Sequence, residues 1–413
     1  MREMKDSGIE WVGAIPQDWQ LSKIGSLYTQ RNEKVSDKDY QPLSVTMQGI
    51  LPQLATAAKT DDGDNRKLVR AGDFAINSRS DRRGSCGISP LDGSVSLINI
   101  ILTPRTAMHP GYYNWLFHTT LFADEFYKWG HGIVADLWTT RWQEMKSITV
   151  PVPEYAEQER IAAFLDAECA EIDAVLEKTR ASIEEYKKLK QAVITQAVTK
   201  GIRGDRPMKD SGIEWIGDIP VEWDVIRVKQ LLKERNERSK EGKEEPLSMS
   251  QKVGLVPTKF LESIPNMASS FVGAKLAYVD DLVFNKLKAH LGVFSVSRYD
   301  GLVSPDYAVY CSTGKSNLKY LEYIFKTPQC IGEFRKKSTG IAAGLMRLYT
   351  EGLFSIYLPY PALSEQEEIA EYLNEKCAGI DALIVKKQQY LIEIENYKKS
   401  LIYEYVTGKK EVV

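Results

Sequence analysis

Residues that most often carry chemistry are scarce in this sequence. Histidine occurs 4 times in 413 residues, at His109, His118, His131 and His290, with no spacing that would bring two onto one metal ion. The 5 cysteines, Cys86, Cys169, Cys311, Cys330 and Cys377, are odd in number and scattered, and no C-x-x-C pair occurs. That argues against a zinc site and a disulfide framework and suits a reducing cytosol. No apolar run approaches the ~20 residues a membrane span needs. The run "LINIIL" (97–102) has only strand length, so no membrane partner is expected. The opening residues "MREMKDSGIEW" are charged and lack an apolar stretch, so no secretory signal is expected. There is no G-x-x-x-x-G-K-[ST] phosphate loop and no G-x-S-x-G nucleophile turn. "DDGDNRK" (61–67) resembles a calcium loop only in composition, because its acids miss the alternation the ion requires, and it reads as a solvated turn.

Excess positive charge is also missing, since the formal net charge is −2. Its distribution is uneven. Residues 154–200 carry 7 basic and 10 acidic groups, and residues 362–410 carry 7 and 9. Residues 1–153 balance at 17 and 17, whereas 201–361 carry 23 basic and 19 acidic groups. Two acidic segments thus mask a mildly basic remainder, which permits polyanion binding without demonstrating it.

What the sequence has is one unit written twice. At an offset of 204, residues 4–34 and 208–238 agree at 16 of 31 positions, from "MKDSGIEW" through "RNEK" and "RNER". "PLS" recurs at 42–44 and 246–248, followed by "GILP" (49–52) and "GLVP" (254–257). The offset then becomes 208: "GDFAIN" (72–77) matches "DDLVFN" (280–285), "GIVADL" (132–137) matches "GIAAGL" (340–345), and "EQERIAAFL" (157–165) matches "EQEEIAEYL" (365–373). "IDA" recurs at 172–174 and 380–382, and "VT" at 198–199 and 406–407. A period this long, present twice, is tandem domain duplication and not a solenoid.

Each unit changes character once. Its first ~150 residues are broken by Gly, Pro, Asn and Asp, with short runs such as "FAIN", "SVSLINIIL" and "SITVPV" that read as strands, and helical pieces near 112–128 and 318–336. After "PVPEYAEQE" and "PYPALSEQE" the pattern is helical. Ile161, Leu165, Ile172, Val175, Ile183, Tyr186, Leu189, Val193 and Ala197 fall largely at helical spacings, as do Ile369, Leu373, Ile380, Leu383, Leu391, Ile394, Tyr397 and Leu401. No Pro interrupts either span, and Gly379 is the one weak point. Helices of about 42 residues, roughly 63 Å, need a long partner, and each is the natural partner of the other. The expected fold is α+β: two tandem-repeated α+β domains at 1–153 and 201–361, each followed by a long helix at 154–200 and 362–410. A two-fold relation between the repeats makes the helix pair an antiparallel coiled coil.

The order "SGIEWxGxIPxxW", globular region, then "P-x-P…EQExIAxxL…ID…YKK…VT", occurring twice and covering the whole chain, resembles the specificity subunits of type I restriction–modification systems. The resemblance implies a non-catalytic protein without a cofactor that acts in a prokaryotic cytoplasm. It implies double-stranded DNA as ligand, two methyltransferase (modification) subunits as partners, and restriction subunits in the full complex. Each globular domain would read one half of a bipartite, asymmetric site, with the long helices setting the spacing and docking the partners. The duplicated framework words then recur because both domains share one scaffold. Trp11, Trp19, Trp215 and Trp223 accordingly read as packing residues, since residues common to both domains cannot tell two half-sites apart.

Base readout calls for Arg, Lys, Gln, Asn or Ser on exposed loops where the repeats diverge. The first such place is the loop after the matched Asn, "NSRSDRRGSCG" (77–87) against "NKLKAHLGVFS" (285–295), with Arg79, Arg82 and Arg83 against Lys286, Lys288 and His290. "SVTMQG" (44–49) and "SMSQKVG" (248–254) offer Gln48, Gln251 and Lys252. "LWTTRW" (137–142) and "FRKKSTG" (334–340) offer Arg141, Arg335, Lys336 and Lys337. Acidic helix faces with Glu157, Glu159, Asp166, Asp173 and Glu177, or Glu365, Glu367, Glu371 and Asp381, read as partner-docking faces because the "EQE" and "IDA" words hold equal places in both units. Two other readings are a self-contained DNA methyltransferase fragment and a coiled-coil scaffold without a DNA role. Against the first, "SPDY" (304–307) has Asp306 where a methyltransferase motif needs a second Pro, and no Gly-rich cofactor turn precedes it. Against the second stand the divergent basic loops.

Overall fold

The computed structural model describes residues 2–53, 62–132, 138–251, 253–261, 271–340 and 346–412. The chain divides into two compact units, Met1–Arg180 with Gln388–Val413, and Ala181–Lys387. Each unit holds one globular repeat, the first part of the long helix that follows it, and the last part of the other repeat's helix.

In the first unit the core rests on an antiparallel sheet ordered Cys86–Ile88, Phe74–Asn77, Asn99–Pro104, Tyr28–Arg31. Its side chains alternate as the pleat requires. Phe74, Ile76, Ile100 and Leu102 join the main core with Tyr112, Phe117, Phe122 and Trp19. Ala75 and Ile101 face the other way, into a small cluster with Leu43, Ile50, Val69 and Val95. The central strands are therefore buried on both faces. The second unit repeats the sheet as Phe294–Val296, Leu282–Asn285, Tyr307–Ser312, Leu232–Arg235, with Leu282 opposite Tyr310 where the first has Phe74 opposite Leu102.

Local chemistry divides two runs that read as continuous. "SVSLINIIL" gives strands Gly93–Val95 and Asn99–Pro104, separated by a turn in which Asn99 N donates to Ser96 O at 3.1 Å. The helical piece near 112–128 is two helices, Pro110–Phe117 and Thr120–Lys128, because the Thr119 hydroxyl accepts from Phe122 N and starts a new helix. Thr327, with Pro328 at the first helical position, restarts the chain in the same way between Leu318–Phe325 and Pro328–Lys337.

The long helices are Tyr155–Lys200 and Leu363–Val406, slightly longer than their periodicity predicts, and the second runs straight through Gly379. Their inward positions are Leu165, Cys169, Ile172, Leu176, Thr179, Ile183, Tyr186 and Lys190, and Leu373, Cys377, Ile380, Ile384, Lys387, Leu391, Ile394 and Lys398. Spacings of four and three alternate throughout, the signature of a coiled-coil seam. This corrects the phase of the expected stripe: Val175, Leu189, Leu383 and Tyr397 point outward and are 39–55% exposed. The helices pair antiparallel in both units. In the first, Phe164 packs on Tyr405, and Asp173 and Arg180 pair with Lys398 and Glu395. In the second, Lys387 lies over Tyr186 and Lys190 pairs with Asp381.

The repeated words are joints between domain and helix. Trp19 and Trp223 are buried and donate their indole N–H to Glu157 and Glu365, at 2.9 and 3.0 Å. Arg2 and Arg206 lie over these rings and bind the same carboxylates. Gln158 receives His109 N, and Gln366 receives Asn317 N, at 2.8 and 2.9 Å. At the far helix ends, the Tyr112 and Tyr320 hydroxyls donate to the carbonyls of Val406 and Val198, the first residues of the "VT" words. Trp11 and Trp19 are buried, and Trp215 packs partly buried against its core, so the packing reading of all four tryptophans agrees with their burial. Four of the "EQE" and "IDA" acids read as docking residues are engaged within the chain. Glu157, Glu365, Asp173 and Asp381 are occupied by Arg2, Arg206, Lys398 and Lys190 of the chain itself.

Candidate nucleic-acid interface

The divergent loops begin from one shared turn. Asn77 and Asn285 end equivalent strands, and their side-chain oxygens accept from Arg79 N and Leu287 N at 3.0 and 3.1 Å. Beyond that turn the content differs. The first loop makes a short 3-10 turn at Ser80–Arg82, and the second makes one at Ala289–Leu291, ended by Gly292 at φ 76°. A third segment runs alongside each loop: Thr140 N donates to Ser78 O and Ser80 N to Trp138 O, while Leu348 N donates to Lys286 O, all at 3.0 Å. In the first unit the first and third candidate sets are therefore adjacent in space although some 60 residues apart in sequence, whereas in the second the segment bonded to the loop includes Leu348, which lies outside the expected 334–340.

In the first unit, Arg79 and Arg141 line one cleft of about 330 Å³, together with Gln30, Lys67, Asn99 and Trp142. Lys67 Nζ donates to Asn99 O at 2.7 Å, and burial pushes the ammonium below its ordinary pKa. Arg82 and Arg83 are exposed beside the cleft. Arg83 is held by Asp124 and lies 6.0 Å from the Tyr127 ring, while Arg82 is 3.7 Å from Asp81. Gln48 is exposed at the turn between strands Leu43–Thr46 and Gly49–Pro52.

In the second unit the equivalent hairpin joins Leu247–Ser250 to Gly254–Pro257, and Gln251 at its turn donates to Leu291 O at 3.1 Å, tying hairpin to loop. Lys252 lies outside the described residues. Lys288 is exposed, His290 is half-buried with no partner for its Nδ1 among the described residues, and Lys286 is half-buried with its ammonium lowered by burial. Arg335, Lys336 and Lys337 form the exposed last turn of Pro328–Lys337, where cations also complement the helix dipole. Lys336 is paired with Glu333 at 2.7 Å. "SPDY" is a turn leading into strand Tyr307–Ser312, and Asp306 binds Arg347 at 3.3 Å. In "DDGDNRK", Asp64 accepts from the Ser36 hydroxyl at 2.6 Å, so that acid is engaged by its own chain.

Sequence reasoning missed Lys67, Gln30 and Arg347. Lys67 and Lys275 match at the 208 offset inside "KL" words, a signal that reads as strand pattern because their partners come from distant segments. Among the described residues no helix is long and apolar enough to cross a membrane.

No family model matches the chain. A type I restriction enzyme specificity subunit, MjaVIII of Methanocaldococcus jannaschii, is 22% identical over 427 aligned positions, spanning 96% of this chain and 94% of that protein. The EcoDI specificity subunit of Escherichia coli is 22% identical over 294 positions, covering 64% of this chain and 63% of its own length. A solved chain from a study of type I R-M complex assembly and conformational transition superposes with a TM-score of 0.73 at 13% identity, covering 96% of this chain and 99% of the other. The HsdS subunit from Thermoanaerobacter tengcongensis gives a TM-score of 0.55 at 14% identity, with 96% and 98% covered. In sequence along nearly its whole length, and in fold, the chain is similar to the specificity subunits of type I restriction–modification systems.

Proposed function

We propose that this chain is the DNA-recognition subunit of a type I restriction–modification complex and is not itself an enzyme. The domain at 1–153 reads one half of a bipartite, asymmetric site and the domain at 201–361 reads the other. The helical segments 154–200 and 362–410 set the gap between the halves. The observation that carries this reading is a duplicated support beneath unlike surfaces. The Asn77 and Asn285 turns, the Trp–Glu joints and the sheet register are the same in both units, while the cationic loops they present differ. A protein that reads two different sequences from one scaffold needs that combination.

Two methyltransferase subunits, and through them restriction subunits, are the proposed protein partners. Glu157, Glu365, Asp173 and Asp381 of the repeated words are engaged within the chain, and exposed apolar residues of the helices are further docking candidates. Val175 and Leu383 are one such matched pair at the 208 offset, and Leu189 and Tyr397 are another. Equal outward positions on both helices suit two copies of one partner.

The test is selection from a randomised duplex library by the chain co-purified with a cognate methyltransferase subunit. Two short conserved blocks at a fixed gap are expected. A single contiguous block, or none, would contradict the assignment.

A further inference from the structure

The duplication supplies an internal control at the cleft of the first unit. Lys67 Nζ donates to the carbonyl of Asn99 at 2.7 Å, and Lys275 Nζ donates to the carbonyl of Tyr307 at 3.1 Å. The two lysines occupy the same place on the same strand, one repeat apart. The residue beside them on the neighbouring strand is exchanged: Gln30 in the first unit, Glu234 in the second. Glu234 lies 3.4 Å from Lys275 Nζ and neutralises it, with its other oxygen accepting from the Thr350 hydroxyl at 2.6 Å. An amide at Gln30 cannot do the same for Lys67.

The surroundings extend the contrast. Arg79 and Arg141 line the first cleft, and among the described residues that line it there is no carboxylate. At the matching positions the second unit has Leu287 and Tyr349; of its further cations, Arg347 is met by Asp306 at 3.3 Å, and Lys286, near both Asp306 and Glu234, donates to Pro305 O at 3.4 Å. Among the described lining residues, one groove therefore holds three cations without a carboxylate, whereas in its twin Glu234 and Asp306 offset Lys275, Arg347 and Lys286 in part. A group that only accepts hydrogen bonds relieves the first arrangement and has little to gain in the second.

We propose that the Lys67–Arg79–Arg141 cleft is a specificity-determining site that takes the O6/N7 edge of a guanine in one half of the DNA site, and that the Gln30/Glu234 exchange keeps the second unit from reading the same edge. Arginine presents paired donors that match this edge, which carries acceptors only. The inference rests on the DNA-recognition reading above.

The exchange also provides the variant. Q30E installs the residue that the sister repeat already carries beside the equivalent lysine, so the scaffold tolerates it, and E234Q is the mirror change. Both are compared with R79A and R141A in the complex with a cognate methyltransferase subunit, by selection from a randomised duplex library at two salt concentrations. Q30E, R79A and R141A are expected to lose preference for one guanine of one half-site by roughly 5- to 150-fold, the range that ~1–3 kcal/mol of discrimination gives. The other half-site should be unchanged. E234Q should alter the other half alone. A uniform loss across all sequences, with a shallower salt dependence, would identify a backbone phosphate contact and overturn the guanine assignment. Unchanged selection by Q30E, R79A and R141A, with a wild-type complex that still selects a bipartite site, would overturn the cleft and leave the DNA-recognition reading standing. A wild-type complex that selects no such site would overturn both.

Discussion

Trp19 and Trp223 show how much one repeated residue does in this protein. Each ring is buried at the junction of its domain and helix, and each indole N–H meets a carboxylate, at 2.9 and 3.0 Å. Replacing either by Phe keeps most of the apolar contact and removes a hydrogen bond to a charged group, worth ~1.5–3 kcal/mol. Unfolding by denaturant should show W19F and W223F destabilised in that range, with the selected DNA sequence unaltered. A changed sequence preference would mean that these rings touch DNA. Packing was legible in the sequence because a residue common to both domains cannot discriminate between two sites. The hydrogen-bond partner was not legible. Glu157 lies 138 residues from Trp19, and in the sequence "EQE" looks like a hydrated, acidic helix start. A shorter separation, 32 residues, hid the bond of Lys67 to Asn99, which forms only when strand Arg66–Val69 and strand Asn99–Pro104 come together.

At the scale of elements, the long helices were the most legible feature and their phase the least. Val175 and Leu176 are both apolar, as are Leu383 and Ile384, so periodicity alone leaves the inward residue open. The alternating three and four spacing through Leu165, Cys169, Ile172, Leu176, Thr179 and Ile183 settles it, and the second helix repeats it at the 208 offset. Strand breaks and helix restarts were missed for a different reason. Single capping contacts, such as Thr119 to Phe122 N, decide them within a few residues. The seam defines an insertion that preserves pairing: seven residues placed after Ala181 and seven after Gln389 keep the heptad phase in both helices. The insertion lengthens each by about 10.5 Å, close to three base pairs of duplex. DNA selection should return the same two half-sites with a gap longer by about three base pairs. An unaltered gap, with the complex intact, would show that the helices do not set the spacing.

Across the whole molecule, the distribution of charge reconciles a formal net charge of −2 with the proposed polyanionic ligand. Acid is concentrated in the helical segments, while the globular domains carry the cations, and the loops that differ between repeats are where those cations meet shared turns. Fold class and repeat order were readable because they rest on periodicity and recurrence, both one-dimensional properties. The composition of the cleft was not, because it joins Gln30, Lys67, Arg79 and Arg141 from four separate segments. The central claim is that this chain alone dictates a two-part DNA sequence for a methyltransferase. The most direct measurement is the methylome of a host carrying a cognate methyltransferase subunit, sequenced with and without this chain. The account predicts a bipartite methylated motif that is present only with the chain. A methylation pattern indifferent to the chain, despite a stable complex, would contradict it.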